Sequence, residues 1–120
     1  MIQGLRTVIY PVTKLAEAAG YSVAADDSAI DADTAVLLLL HDIDKEEALL
    51  DRALRSDAFY IGALGSKRTH ERRCERLLRR GYAPEQISRI KGPIGLFGPA
   101  RTASTLAVSV LADIASMRGD

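Results

Sequence analysis

Thr34-Ala35-Val36-Leu37-Leu38-Leu39-Leu40 runs apolar without alternation and is broken at once by His41-Asp42. A strand with one wet face would alternate, so this pattern is that of a strand buried on both faces, the central strand of a parallel sheet. Leucine also favours helix, but the run is short for one and closes abruptly, which selects the strand. Upstream, Thr7-Val8-Ile9-Tyr10 reads as a strand, with Pro11 opening a helix over Val12 to Ala19 that Gly20 ends, and Tyr21 to Ala25 as a second strand. Downstream, Asp44 and Glu47 are spaced as a capping box ahead of a helix with Leu50, Ala53 and Leu54 on one stripe.

Ala58 to Ala63 is a further strand, and a helix runs from about Ser66 to Arg80, where Gly81 stops it. Pro84 to Ser88 forms a short helical turn before Ile90. The last helix is marked by Ala103, Leu106, Ala107, Val110, Leu111 and Ile114, three or four apart. This alternation of strand and helix predicts a three-layer α/β fold, a mostly parallel sheet with helices on both faces and right-handed crossovers.

With 120 residues and 48% hydrophobic content, the chain suits one core and one domain over residues 1–120. Basic and acidic residues number 16 each, giving no general attraction to nucleic acid or anionic membrane. Cys74 is the only cysteine, so no intrachain disulfide forms, and no Cys/His cluster has zinc-site spacing. The longest apolar run falls far short of the ~20 residues that span a bilayer. A cytoplasmic protein is the expectation.

Ligands of open parallel sheets bind beyond the carboxyl ends of the strands. Gly62-Ala63-Leu64-Gly65-Ser66-Lys67-Arg68 carries a strand through glycines into a helix start, with Ser66 as cap and two cations in the first turn. Cations there oppose the helix dipole, a conflict that a bound phosphate removes; solvent exposure of both side chains is the alternative, at a cost of ~0.3–1 kcal/mol. The stretch from Gly92 to Pro99, with Gly95, leads to Arg101 and to Thr102 as a cap; it reads either as a second anion loop or as a crossover loop shaped by glycine and proline. His41 and Asp42 suit a ligand contact or an ordinary strand end, and Asp26 and Asp27 a ribose contact or an acidic turn. Tyr10-Pro11-Val12-Thr13-Lys14 stands where a dinucleotide fold would place its glycine fingerprint, which disfavours NAD(P). Cys74, three and four residues before Leu77 and Leu78, reads as core. His70 and Arg72, Arg73, Arg76, Arg79 and Arg80 read as a solvated face, or as a surface attracting an anionic partner.

Three stretches together resemble one family: Ala35 to Asp42, Tyr60 to Arg68, and Gly92-Pro93-Ile94-Gly95-Leu96 with Ala100-Arg101-Thr102. They are similar to the C-terminal Rossmann domain of the XdhC/CoxF-like proteins, accessory proteins of xanthine dehydrogenase, over roughly Tyr21 to Ser116. The resemblance implies a Rossmann-like fold, binding of the molybdenum cofactor (molybdopterin) and its protection during sulfuration. It also implies transfer to a xanthine dehydrogenase-like molybdoenzyme, a chaperone's role rather than a catalyst's. Strand-end position and resemblance together give the candidate cofactor-binding set Asp26, Asp27, His41, Asp42, Gly62, Gly65, Ser66, Lys67, Arg68, Gly95, Arg101 and Thr102, with no catalytic and no metal-ligating residue.

The chain departs from the family at Tyr10-Pro11-Val12, where a glycine-containing turn is usual, and in the shortness of Ser28 to Asp33. It departs again at Phe97-Gly98-Pro99 and in lacking the separate N-terminal family domain; the altered first turn and the short Ser28 to Asp33 connection read as a Rossmann domain shortened near its N-terminus. Two alternatives therefore stay open: an assembly or regulatory module that kept the fold without the ligand, and an NAD(P)-dependent oxidoreductase. A homo-oligomer is expected under any of these, because a small sheet with few helices leaves an apolar face to cover.

Overall fold

The structure is a computed structural model that describes residues 2–4, 6–23, 29–39, 43–98 and 100–118, with side chains from residue 12 onward except residue 43. Among the described residues, four strands form one parallel sheet in the order β1 (Ile2–Gly4), β2 (Ala35–Leu39), β3 (Tyr60–Ala63), β4 (Ile90–Lys91). The register pairs Gly4 with Leu39, Val36 with Ile61, and Gly62 with Lys91. The predicted central strand is β2, and Val36 to Leu39 are at most 2% exposed. Alternate residues serve opposite faces, as strand geometry requires. Val36, Leu38, Ile61 and Ala63 pack with α2 (Ile43–Leu54), α3 (Lys67–Arg79) and α4 (Pro84–Ile87). Leu37, Leu39 and Tyr60 pack with α1 (Arg6–Ala18) and α5 (Ala103–Arg118). The three-layer α/β prediction holds.

Adjacent strands β1 and β2 thus send their helices to opposite faces, which is how a Rossmann-type sheet opens a crevice at its carboxyl edge. The N-terminal elements differ from the prediction. Thr7 to Tyr10 lie inside α1, and the first strand is Ile2–Gly4. Pro11 is the sixth residue of α1 rather than its first. Burial decides this in favour of helix: Val12 and Ala16, one helical turn apart, are buried against α5, and tertiary packing outweighs the strand propensity of Val, Ile and Tyr. Tyr21 to Val23 belong to no strand; Ala24 and Ala25 lie outside the described residues. Gly20 does end α1, at φ +93°, with the Tyr21 N–H bonded to the Ala16 carbonyl and the Gly20 N–H to that of Glu17.

The helix beginning near Asp44 forms, with Asp44 inside its first turn. Glu47 is turned to α3 instead of closing a capping box, its two oxygens accepting from Arg76 and Arg80 at 3.1 and 3.3 Å. The arginines of α3 are accordingly not one solvated face. Arg73 is 2% exposed, and Arg76 and Arg80 bridge to Glu46, Glu47 and Asp51 of α2, leaving Arg72 and Arg79 exposed. Opposite charges on α2 outcompete solvent for these side chains. Cys74 is partly buried against the core, as predicted, and burial pushes its thiol pKa up. No helix of the described residues is long and apolar enough to cross a membrane.

Candidate functional site

Beyond the carboxyl ends of β3 and β4 lies a cleft of about 660 Å³, lined by Leu64 and Gly65 on one side and by Pro93 to Gly98, Ala100 and Leu106 on the other. The two motifs singled out in the sequence are therefore its two walls. They meet because the Ile94 N–H donates to the Ala63 carbonyl at 3.1 Å, carrying the β3–β4 pairing into the loop. Gly62 makes that approach feasible. A Cβ there would stand 2.6 Å from Ile94 Cδ1 and 2.7 Å from the Tyr60 ring, so its buried position is a packing requirement.

The first wall is set by charge. Gly65 turns the chain at φ +136°, and Ser66 caps α3 by accepting the Thr69 N–H at 3.1 Å, as its spacing predicted. Beneath the turn, Arg73 donates from Nη2 to the Leu64 carbonyl at 2.8 Å and from Nε to Glu46 at 2.7 Å. Its Nη1 lies 2.8 Å from His70 Nδ1. A guanidinium only donates, so Nδ1 is the acceptor and the imidazole is neutral with its proton on Nε2, 3.5 Å from the Cys74 sulfur. Burial, then the Arg73 cation, push the His70 pKa down, against a smaller opposing pull from Glu46. The His70 ring also occupies the space a side chain at position 92 would need, so the histidine packs against the start of the glycine-rich loop.

The second wall is set by hydroxyls. Gly95, at φ +106°, brings the loop onto α5 so closely that a Cβ would stand 2.5 Å from Ser109 Oγ. Fully buried Ser109 donates from Oγ to the Phe97 carbonyl at 2.6 Å and accepts the Phe97 N–H at 3.0 Å, while its own carbonyl accepts the Leu96 N–H at 3.1 Å. Tyr60 Oη accepts from the Gly95 backbone and donates to Asp113 at 2.8 Å, and Lys91 stands 3.6 Å from the other Asp113 oxygen. Burial and the Asp113 carboxylate drive the Tyr60 pKa above the usual phenol range. Thr102 caps α5 by accepting the Thr105 N–H at 3.1 Å, as predicted.

Of the predicted set, Gly65 and Gly95 line the cleft and Gly62 packs behind it. Ser66, Lys67, Arg68, Arg101 and Thr102 are exposed on the two segments that continue from its walls. Asp26, Asp27, His41 and Asp42 lie outside the described residues. Arg73, Ser109, Tyr60 and Asp113 were not singled out. Ser109 and Asp113 carried a signal, since they fall four apart inside the apolar stripe of α5, where a polar residue must have a partner. Among the described residues, no three His, Cys, Asp or Glu side chains group closely enough to hold a metal ion.

The place of a glycine fingerprint lies upstream of Tyr10 to Lys14. Tyr10 to Lys14 lie within α1, and the first strand ends at Gly4. The chain therefore does have a glycine there. Counted from Gly4, the hexad reads Gly-Leu-Arg-Thr-Val-Ile, so two of the three fingerprint glycines are still replaced.

The chain is 42% identical over 125 aligned residues to the molybdenum cofactor insertion chaperone PaoD of Escherichia coli K12, covering 98% of this chain and 39% of that protein. It is 30% identical over 110 residues to the uncharacterized protein YqeB of the same organism, covering 92% of this chain and 20% of that one. It thus spans well under half the length of these relatives. A solved structure from Bacillus halodurans described as a xanthine dehydrogenase superposes with a TM-score of 0.77 at 23% identity, over 98% of this chain and 41% of that one, which shows the shared fold. The XdhC Rossmann domain family matches residues 1–114, further toward the N-terminus than Tyr21 and as β1 requires, and the chain belongs to that family.

Proposed function

We propose that this chain is a cofactor-handling domain that holds the molybdenum cofactor as cargo for delivery to a xanthine dehydrogenase-like molybdoenzyme, acting as a chaperone and not as a catalyst. The observation that carries the proposal is the convergence of the two family motifs on one cleft at the carboxyl edge of the sheet. Its volume lies in the range of small-molecule sites. The chemistry fits the cargo: Leu64, Ile94, Leu96 and Phe97 offer apolar surface to a pterin ring. The first turn of α3, with Lys67 and Arg68 and no acidic residue, offers positive potential to its phosphate. Likeness to the PaoD chaperone supports the same reading.

Sequestration needs no proton transfer from the protein. The walls exclude water from one face of the cargo, and their backing by Arg73 and Ser109 fixes their backbones, so little ordering cost attends binding. Lys67, Arg68 and Arg101 are proposed as the anion contacts, and Gly65 and Gly95 as the backbone approach.

An anaerobic thermal-shift series with molybdopterin, NAD(H), NADP(H) and no ligand tests this. A ligand at 100 times its dissociation constant adds ~2.7 kcal/mol, which is several degrees for a domain of this size. Stabilisation by molybdopterin that shrinks in a Lys67→Ala/Arg68→Ala variant is the expected result. No shift with molybdopterin would overturn the proposal, and a shift with NAD(H) alone would replace it with a dinucleotide-binding one.

A further inference from the structure

Phe97 is 49% exposed, yet both polar groups of its backbone are bonded to the buried Ser109 hydroxyl. A single exposed apolar side chain is ordinary on a protein surface and means nothing alone. Here the ring belongs to the wall of a cleft it shares with Leu64, Ile94 and Leu106, on a loop whose backbone is fixed at Gly95, Leu96 and Phe97. Gly65, also lining the cleft, leads through the Ser66 cap into the helix whose first turn carries Lys67 and Arg68. A held aromatic ring on one wall and cations beyond the other are complementary to a flat heteroaromatic group bearing an anionic tail.

We infer that Phe97 is the ring-binding residue of the cleft, stacking its face on the planar heteroaromatic part of the ligand while the anionic end lies toward α3. Ser109 is the positioning residue that presents it. The identity of the ring as a pterin rests on the cofactor-handling reading; the stacking itself does not.

The chain has no tryptophan, so Phe97→Trp places a single indole reporter in the cleft. Its emission is titrated with molybdopterin, with 6-hydroxymethylpterin, which lacks the phosphate, and with inorganic phosphate, all corrected for ligand absorption. Quenching by both pterins and none by phosphate is expected. Phe97→Ala should weaken 6-hydroxymethylpterin about tenfold, the loss of one aromatic stack, with an unchanged melting temperature confirming that it folds. Pterin binding that is equally tight in Phe97→Ala and leaves the indole unquenched would overturn the inference while sparing the cofactor reading. Quenching by GMP, titrated in the same way as a non-pterin ring with a phosphate, in a protein that binds no pterin would do the reverse. Silence with every ring compound would sink both.

Discussion

The β3–α3 turn and the glycine-rich loop face each other across one cleft, yet the first is held by a buried ion pair and the second by hydroxyls. Arg73 reaches the turn from nine residues away and is anchored by Glu46 of the preceding helix. Ser109 reaches the loop from twelve residues away, and Tyr60 ties it to Asp113 of α5 on the same face of the sheet. The difference teaches where each wall is vulnerable. A buried charge left without its partner is severely destabilising, whereas the loss of a hydroxyl's hydrogen bond costs less. The wall that presents cations thus stands on a buried ion pair, and the apolar wall on hydroxyls, one of which donates to the buried Asp113 carboxylate.

The largest expected effect is at Arg73. Arg73→Ala leaves Glu46, 5% exposed, with only the partly exposed Arg76, and should cost about 3–5 kcal/mol in urea unfolding. Pairing Arg73→Met with Glu46→Leu should recover much of that loss, because both charges then go together. A double variant as unstable as the single one would show that the hydrogen bond to Leu64, and not the ion pair, carries the turn.

Tyr60→Phe should cost less, about 1–3 kcal/mol, by removing the donor to Asp113 and the acceptor for Gly95. Amide exchange should quicken at Gly95 and stay slow at Leu64, whose N–H is bonded to the Leu38 carbonyl. Equal acceleration on both walls would mean that they are mechanically one unit.

The smallest effect is the pH response of His70. Its folded pKa lies below the ordinary value of about 6.5, so its contribution is complete above that pH and is lost as pH falls toward the depressed folded value. Protonation puts a proton on Nδ1 against the Arg73 donor. Between pH 7 and 5 the melting temperature should therefore fall more in the wild type than in His70→Asn, and parallel curves would remove His70 from the account.

What the sequence disclosed follows from how local each feature is. Val36 to Leu39 announced a buried strand because burial on both faces writes itself into consecutive residues. Ser66 and Thr102 announced helix starts because a cap acts over three residues. The first strand went unseen because three residues, Ile2 to Gly4, have no periodicity to read, and Thr7 to Tyr10 misled because their helix is stabilised by α5, nearly a hundred residues away. The cleft was legible as two motifs but not as two facing walls. Phe97 was taken as part of an altered stretch, and Arg73 as one arginine among five, because only the fold reveals which of them has Glu46 beneath it.

The most direct test of the central claim is a crystal structure of the protein grown anaerobically with molybdopterin. The account predicts the pterin ring against Phe97, between the loop and Gly65, with its phosphate toward Lys67 and Arg68. Cofactor density at another part of the sheet's edge, with this cleft empty, would contradict it.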